Sequence, residues 1–223
     1  MRHIYDYKAS TDQLLAANGE LERYSFEFHG EKVSAEKFKH DFLPELRSIV
    51  DRFVPHDMKS FLEWGSGIST ILLAELVGQR NGKLVTIDEQ RDYQLAVLEK
   101  VVRRECVQPL VADLMGQKLS QEDVELNYST LPLGLDRSFD FILIDGRRRL
   151  ECALVAFAVA HRNTIVALHD YRRTRYQLVL ALFDLIEDGD QFRVMKPKSK
   201  LQEDLSSEKE LILKLYKRGS YCQ

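Results

Sequence analysis

The chain is poor in cysteine. Cys106, Cys152 and Cys222 are the three in 223 residues, far apart and with no CxxC pair. That pattern offers no disulfide framework and no thiolate zinc site, and it fits a reducing compartment. Long hydrophobic runs are missing as well: none approaches the ~18–20 residues of a membrane span. The start, MRHIYDYKAS, lacks an apolar signal-peptide core. A cytoplasmic protein with no membrane partner is expected. Nor is there an excess of one charge. With 32 Lys and Arg against 35 Asp and Glu, the net charge is −3, and no global basic field argues for nucleic acid. The 44% hydrophobic and 30% charged content is that of a globular protein, long enough for one substantial core and a small appended segment. Internal repeats are absent, and only KPKSKLQEDLSSEKE (196–210) reads as a polar, solvated loop.

What is present divides near residue 58. In the first part, RYSFEF alternates apolar and polar residues over Tyr24, Phe26 and Phe28, and HGEK follows as a turn, so a short hairpin is expected. Ser34 can cap a helix whose apolar face uses Phe38, Phe42, Leu46, Ile49, Val50 and Phe53. Pro44 should kink or split it, because proline lacks the amide donor and crowds the preceding turn. Residues 1–58 are therefore read as a cap segment and 59–223 as the main domain.

From residue 60 strands and helices alternate. The strand candidates are SFLEW (60–64), KLVTID (83–88), VQPLVA (107–112), FDFILID (139–145) and NTIVALH (163–169). Helical spacing links Ile68, Ile71, Leu72 and Leu76, with Gly78 offered as a C-terminal cap. It recurs at Tyr93, Ala96, Val97 and Val101, at Leu150, Ala153, Leu154, Phe157 and Ala158, and at Tyr176, Val179, Leu180 and Phe183. Such alternation means right-handed βαβ units in a doubly wound, mainly parallel α/β sheet of Rossmann-like type. Residues 113–138 are ambiguous: SQED suits a helix start, whereas VELNY alternates like a strand. QFRVMK and ELILKLYKR read as a closing antiparallel pair.

One stretch carries chemistry. In FLEWGSGIST (61–70), Gly65 and Gly67 follow an apolar strand and precede a helix, where an open α/β sheet binds ligands. Small residues admit a ligand to the backbone, and the helix start supplies free amides. Asp88 ends the next strand 21 residues after Gly67, where a ribose diol would find an acceptor. A dinucleotide site prefers GxGxxG, but the third position here is Thr70, and Glu63 at the strand end would repel a pyrophosphate. A cationic or uncharged-tailed nucleoside fits better.

Glu63-Trp64-Gly65-Ser66-Gly67 with Asp88 resembles the E/D-x-G-x-G motif and ribose-binding acid of class I S-adenosylmethionine-dependent methyltransferases. The likeness covers residues 60 to about 216 and implies that fold and that cofactor. By this resemblance the loop (Gly65, Ser66, Gly67) cradles the methionine moiety and Glu63 favours its ammonium. Ser69 stands where the family often has a third glycine. Ser69 and Thr70 bond the cofactor carboxylate or else cap the helix. Asp88 takes the ribose, and Asp113 stands where the family often binds the adenine amino group.

In such a sheet the reactive pocket lies beyond the fourth and fifth strands. They end in ILIDGRRR and VALHDYRR, which converge Asp145, His169 and Asp170. The arrangement is similar to that of small-molecule and sugar O-methyltransferases, some of which hold a divalent cation between acids at these places. His169 or Asp170 can take a hydroxyl's proton. Alternatively a Mg²⁺-type ion on Asp145 and Asp170 lowers the hydroxyl's pKa. Arg147, Arg148 and Arg149 follow one strand and Arg172, Arg173 and Arg175 the other. Cations at helix starts oppose the macrodipole, so they suggest an anionic acceptor, a small molecule or glycan. The expected activity is O-methyl transfer. Aminopropyl transfer to a polyamine and a non-catalytic regulatory role on the same fold are the alternatives, and a homo-oligomer is compatible with either.

Overall fold

The computed structural model describes residues 22–34, 42–112 and 127–205. A two-stranded antiparallel hairpin, β1 (Ser25–Phe28) and β2 (Glu31–Ser34), turns at His29 and Gly30, both in the left-handed region. Helix α1 (Phe42–Phe53) follows. The main sheet has seven strands: β3 (Ser60–Trp64), β4 (Lys83–Asp88), β5 (Val107–Val111), β6 (Phe139–Ile144), β7 (Ala160–His169), β8 (Phe183–Asp188) and β9 (Phe192–Pro197). Their order across the sheet is β5-β4-β3-β6-β7-β9-β8. The first five are parallel, and β9 and β8 close the sheet as an antiparallel pair. Between the strands run α2 (Ile68–Gln79), α3 (Arg91–Glu99) and α4 (Arg149–Val159), and α5 (Ser199–Asp204) follows β9. Among the described residues no helix is long and apolar enough to cross a membrane.

Helices cover both faces, which is why the central strands are apolar on both sides. Phe61, Leu84, Phe141, Leu143, Ile165 and Ala167 pack toward α1 and α2. Their neighbours Leu62, Trp64, Val85, Ile87, Ile142 and Ile144 pack toward α4. The same alternation, with period two, turns Glu63, Thr86, Asp88, Asp145 and His169 onto the α1/α2 face at the carboxyl end of the sheet. There the chain reverses its winding between adjacent β3 and β6, and that crevice is the topological switch point.

Several local expectations are corrected, and the stretch read as a loop at 196–210 instead carries the end of β9 and α5. Pro44 neither kinks nor splits α1, since it falls in the helix's first turn, where no intrahelical partner for its amide exists. Gly78 lies inside α2 rather than capping it, and a Cβ there would stand 2.5 Å from Arg103 Cδ. Phe183, read as the end of a helix, begins β8, preceded by a 3₁₀ helix at Thr174–Ala181. The partner of QFRVMK is therefore Phe183–Asp188, and ELILKLYKR lies outside the described residues. Residues 127 and 128, the end of VELNY, start a helical turn and not a strand. Phe38 and most of 113–138 also fall outside the described residues.

Candidate active site

The glycine loop connects β3 to α2. Gly65 has φ +94°, a conformation closed to L side chains, and a Cβ on it would lie 2.8 Å from Gly146 Cα. A Cβ on Gly146 would in turn run into the Tyr128 hydroxyl. The loops after β3 and β6 thus touch backbone to backbone. At Gly67 a Cβ would meet only the Tyr93 hydroxyl, at 3.9 Å, so the loop is open on that side. Tyr93 is held edge-on by Phe26 and Phe28 of the hairpin, with ring centroids 5.2 and 5.1 Å away. Burial, then the Asp88, Glu63 and Asp145 carboxylates, push its phenol up to about 12.

Glu63 is fully enclosed. Its carboxylate accepts hydroxyls from Ser69 (2.6 Å), Thr70 (2.6 Å) and Thr86 (2.7 Å). Because Thr86 gives its proton to Glu63, Ser66 must give its own to Thr86 (2.8 Å), and the Gln94 amide bonds Ser66 (3.0 Å). Burial lifts the Glu63 carboxyl to about 7, against the pull of the three hydroxyls. Ser69 and Thr70 therefore spend their protons inside the protein, and Thr70 Oγ1 also accepts the Gly67 amide at 2.9 Å, closing the helix start. At the end of β4, Asp88 accepts the Ser66 and Gln90 amides at 3.0 and 2.9 Å. Burial raises its carboxyl despite those bonds. Asp113 lies outside the described residues.

At the ends of β6 and β7, His169 Nδ1 and Asp145 Oδ1 are 2.5 Å apart. A carboxylate has no proton to give, so Nδ1 is the donor, and Nε2 takes no partner among the described residues. Phe42 of α1 and Phe192 of β9 wall the ring at centroid distances of 5.0 and 5.2 Å. Asp170, in the left-handed conformation, faces Arg149 at 3.2 Å and Arg173 at 3.1 Å. Burial would raise its carboxyl, but His169, Arg149 and Arg173 together hold it below its ordinary value. Asp145 Oδ1 also receives Arg149 at 3.3 Å.

Residues 62–171 match the family model described as a methyltransferase domain. Over that region the chain is a methyltransferase domain, in agreement with its resemblance to the class I S-adenosylmethionine-dependent methyltransferases. Its fold is similar to that of a methyltransferase-like protein from Silicibacter pomeroyi, with TM-score 0.59 and 18% identity over 78% of this chain and 89% of that one. Cofactor-bound Rv0187 from MTB is similar with TM-score 0.51 and 19% identity over 89% and 99% of the two chains. The Methanococcus jannaschii fibrillarin pre-rRNA processing protein has TM-score 0.50 and 12% identity over 78% and 82%. No curated protein matches the sequence.

The crevice fits S-adenosylmethionine, the cofactor that the resemblance implies. The loop is open at Gly67, and the negative charge of three acidic side chains, Asp88, Glu63 and Asp145, reaches the Tyr93 hydroxyl. That field suits a ligand carrying an ammonium and a sulfonium. A divalent metal fits less well, because the Arg149 guanidinium already bridges Asp145 and Asp170. Among the described residues no three His, Cys, Asp or Glu side chains gather as a ligand set.

Four of the arginines are each paired with an acid. Arg147 pairs with Glu89 at 2.8 Å, Arg148 with Glu151 at 3.1 Å, Arg172 with Asp190 at 3.5 Å and Arg173 with Asp170. Arg172 points to the β8–β9 turn. Glu89 and Tyr93 escaped the sequence reading as site residues, and the inward-facing Arg149 entered it only within its run of arginines. An acid directly after Asp88 was a usable signal for Glu89. Tyr93 had no local signal, because it belongs to the site through contacts distant in sequence.

Proposed function

We propose that this methyltransferase modifies a hydroxyl of an acidic small molecule or glycan, with His169 accepting the hydroxyl's proton. The observation that carries this reading is the His169–Asp145 pair: Asp145 fixes the Nδ1–H tautomer and leaves Nε2 as the base. When bound, the cofactor supplies a methyl group made electrophilic by its sulfonium. The backbone of Gly65, Ser66 and Gly67 would hold its methionine end, and Asp88, with Glu89 beside it, its ribose. Glu63 supplies negative charge from beneath the loop. Asp145 stabilises the imidazolium that forms on His169. Asp170 is a weaker base than an ordinary carboxylate, since Arg149 and Arg173 favour its ionised form. Arg147 stands two residues beyond Asp145, and Arg173 is bonded to Asp170, so two largely exposed cations flank the pair and favour an acidic acceptor.

The test is label transfer from methyl-labelled cofactor to a panel of hydroxylated carboxylates and phosphates, their uncharged counterparts, amines and RNA. Label is expected in the acidic hydroxyl compounds, with or without EDTA. His169→Ala should slow transfer by about 10²–10⁴-fold, the usual contribution of general-base catalysis, while cofactor affinity barely changes. Label in RNA or on nitrogen would overturn the acceptor class, and wild-type turnover in His169→Ala would remove the base.

A further inference from the structure

Arg149 differs from the other arginines at these strand ends. Its side chain is 12% exposed, against 33–66% for Arg147, Arg148, Arg172 and Arg173. Its planar fork also spends every bond inward. Nε donates to the Gly146 carbonyl at 2.9 Å, and Nη2 to the Asp145 carbonyl at 3.2 Å and to Asp145 Oδ1. Nη1 donates to the His169 carbonyl at 2.7 Å and pairs with Asp170 Oδ2. One guanidinium thus ties the turn after β6 to the turn after β7. A point charge such as lysine could not reach these acceptors together.

We propose that Arg149 is a positioning residue of the reaction centre: its guanidinium fixes Asp145 and Asp170 relative to His169 and fills, as a built-in cation, the place between the two carboxylates. The reasoning follows the acceptor oxygens. Asp145 Oδ1 receives two donors, His169 Nδ1 and Arg149 Nη2, and the second holds the oxygen where it selects the tautomer of the first. The His169 carbonyl is held by the same guanidinium, so ring and carboxylate move together. A divalent ion on these oxygens would face a full positive charge. The methyltransferase is therefore expected to work with a fixed cation where other sites of this shape recruit a metal. The catalytic part of this inference rests on His169 as base.

The experiment needs no methyl acceptor. In isotope-labelled protein at alkaline pH, imidazole nitrogen shifts read the tautomer of His169, assigned against His169→Gln. The wild type should show one tautomer, protonated at Nδ1. Arg149→Ala should lose that single tautomer, and millimolar guanidinium should restore it, which a role confined to stability would not produce. Electron paramagnetic resonance of added Mn²⁺ should show ion bound by Arg149→Ala and none by the wild type. Arg149→Lys, which keeps the charge without the fork, should exclude Mn²⁺ yet lose the single tautomer. A single Nδ1–H tautomer in Arg149→Ala, or equal Mn²⁺ binding by wild type and Arg149→Ala, would overturn the proposal. If Arg149→Ala does not fold, an unchanged tautomer in Arg149→Lys overturns it instead. Wild-type turnover in His169→Ala would sink the base assignment while leaving the tautomer result standing.

Discussion

At the scale of single residues, Glu63 is caught between two opposing effects. All the hydroxyl protons around it point inward, the polarity an ionised carboxylate demands, while complete burial pushes its pKa from 4.5 to about 7. The folded state therefore keeps a proton that the unfolded chain has released between those values. Stability from this group is fully present below about pH 4.5 and is lost as pH rises through about 7. Glu63→Gln should flatten that slope, the difference being at most about 3 kcal/mol. Melting temperature against pH for both proteins checks it, and parallel curves would show that Glu63 stays ionised throughout. Arg148 illustrates a second local effect. It adopts φ +51° immediately before α4, and this left-handed turn lies between outward Arg147 and inward Arg149. Such a conformation is costly for a non-glycine residue and tends to persist where surrounding structure enforces it.

At the scale of elements, the hairpin is coupled to the crevice through one aromatic contact. Phe26 is buried and, with Phe28, sets the edge of Tyr93, whose hydroxyl faces Gly67. Phe26→Ala should cost about 3–5 kcal/mol of stability, as large-to-small aromatic core changes do, and should weaken cofactor binding as Tyr93 loses its support. Denaturant titration and calorimetry separate the two effects. A destabilised variant with wild-type cofactor affinity would leave the hairpin a structural ornament. The helix α1 plays a parallel part on the other side, where Phe42 packs against the His169 ring. The strand β8 shows how pairing overrides local pattern. Tyr176, Val179 and Phe183 keep helical spacing, yet Phe183 starts a strand because β9 offers a complete antiparallel edge.

At the scale of the whole molecule, the cofactor and the fold should be thermodynamically linked. A ligand bound only by the folded state stabilises it by about 2.7 kcal/mol at a hundredfold excess over Kd. S-Adenosylmethionine should therefore raise the melting temperature with increasing concentration. Asp88→Ala should bind the cofactor more weakly by about 1.5–3 kcal/mol, the range for hydrogen bonds to a charged group. It should also melt lower without ligand, because Asp88 holds the Ser66 and Gln90 amides. Scanning calorimetry with and without cofactor distinguishes these losses. An equal ligand-induced shift in both proteins would take Asp88 out of the binding site.

Composition and local pattern determined the class of fold, the parallel strands to within a few residues, and the glycine loop with its acids. Those features are written in contiguous stretches: apolar runs of strand length, a period of two, and glycine where backbone must approach backbone. The strand ends also announced Asp145, His169 and Asp170, because a doubly wound sheet brings the carboxyl ends of its central strands together whatever the side chains are. Only the tertiary structure decided which polar groups turn inward. Arg147, Arg148 and Arg149 are chemically identical neighbours, and the left-handed turn at Arg148 with the carbonyls after β6 and β7 selects Arg149 alone. Glu63 likewise reads as a ligand contact in the motif, yet Thr86 on the adjacent strand and Ser69 and Thr70 on the following helix enclose it. Desolvation and hydrogen bonding act through space, so a carboxylate's role depends on neighbours that the chain brings together only by folding.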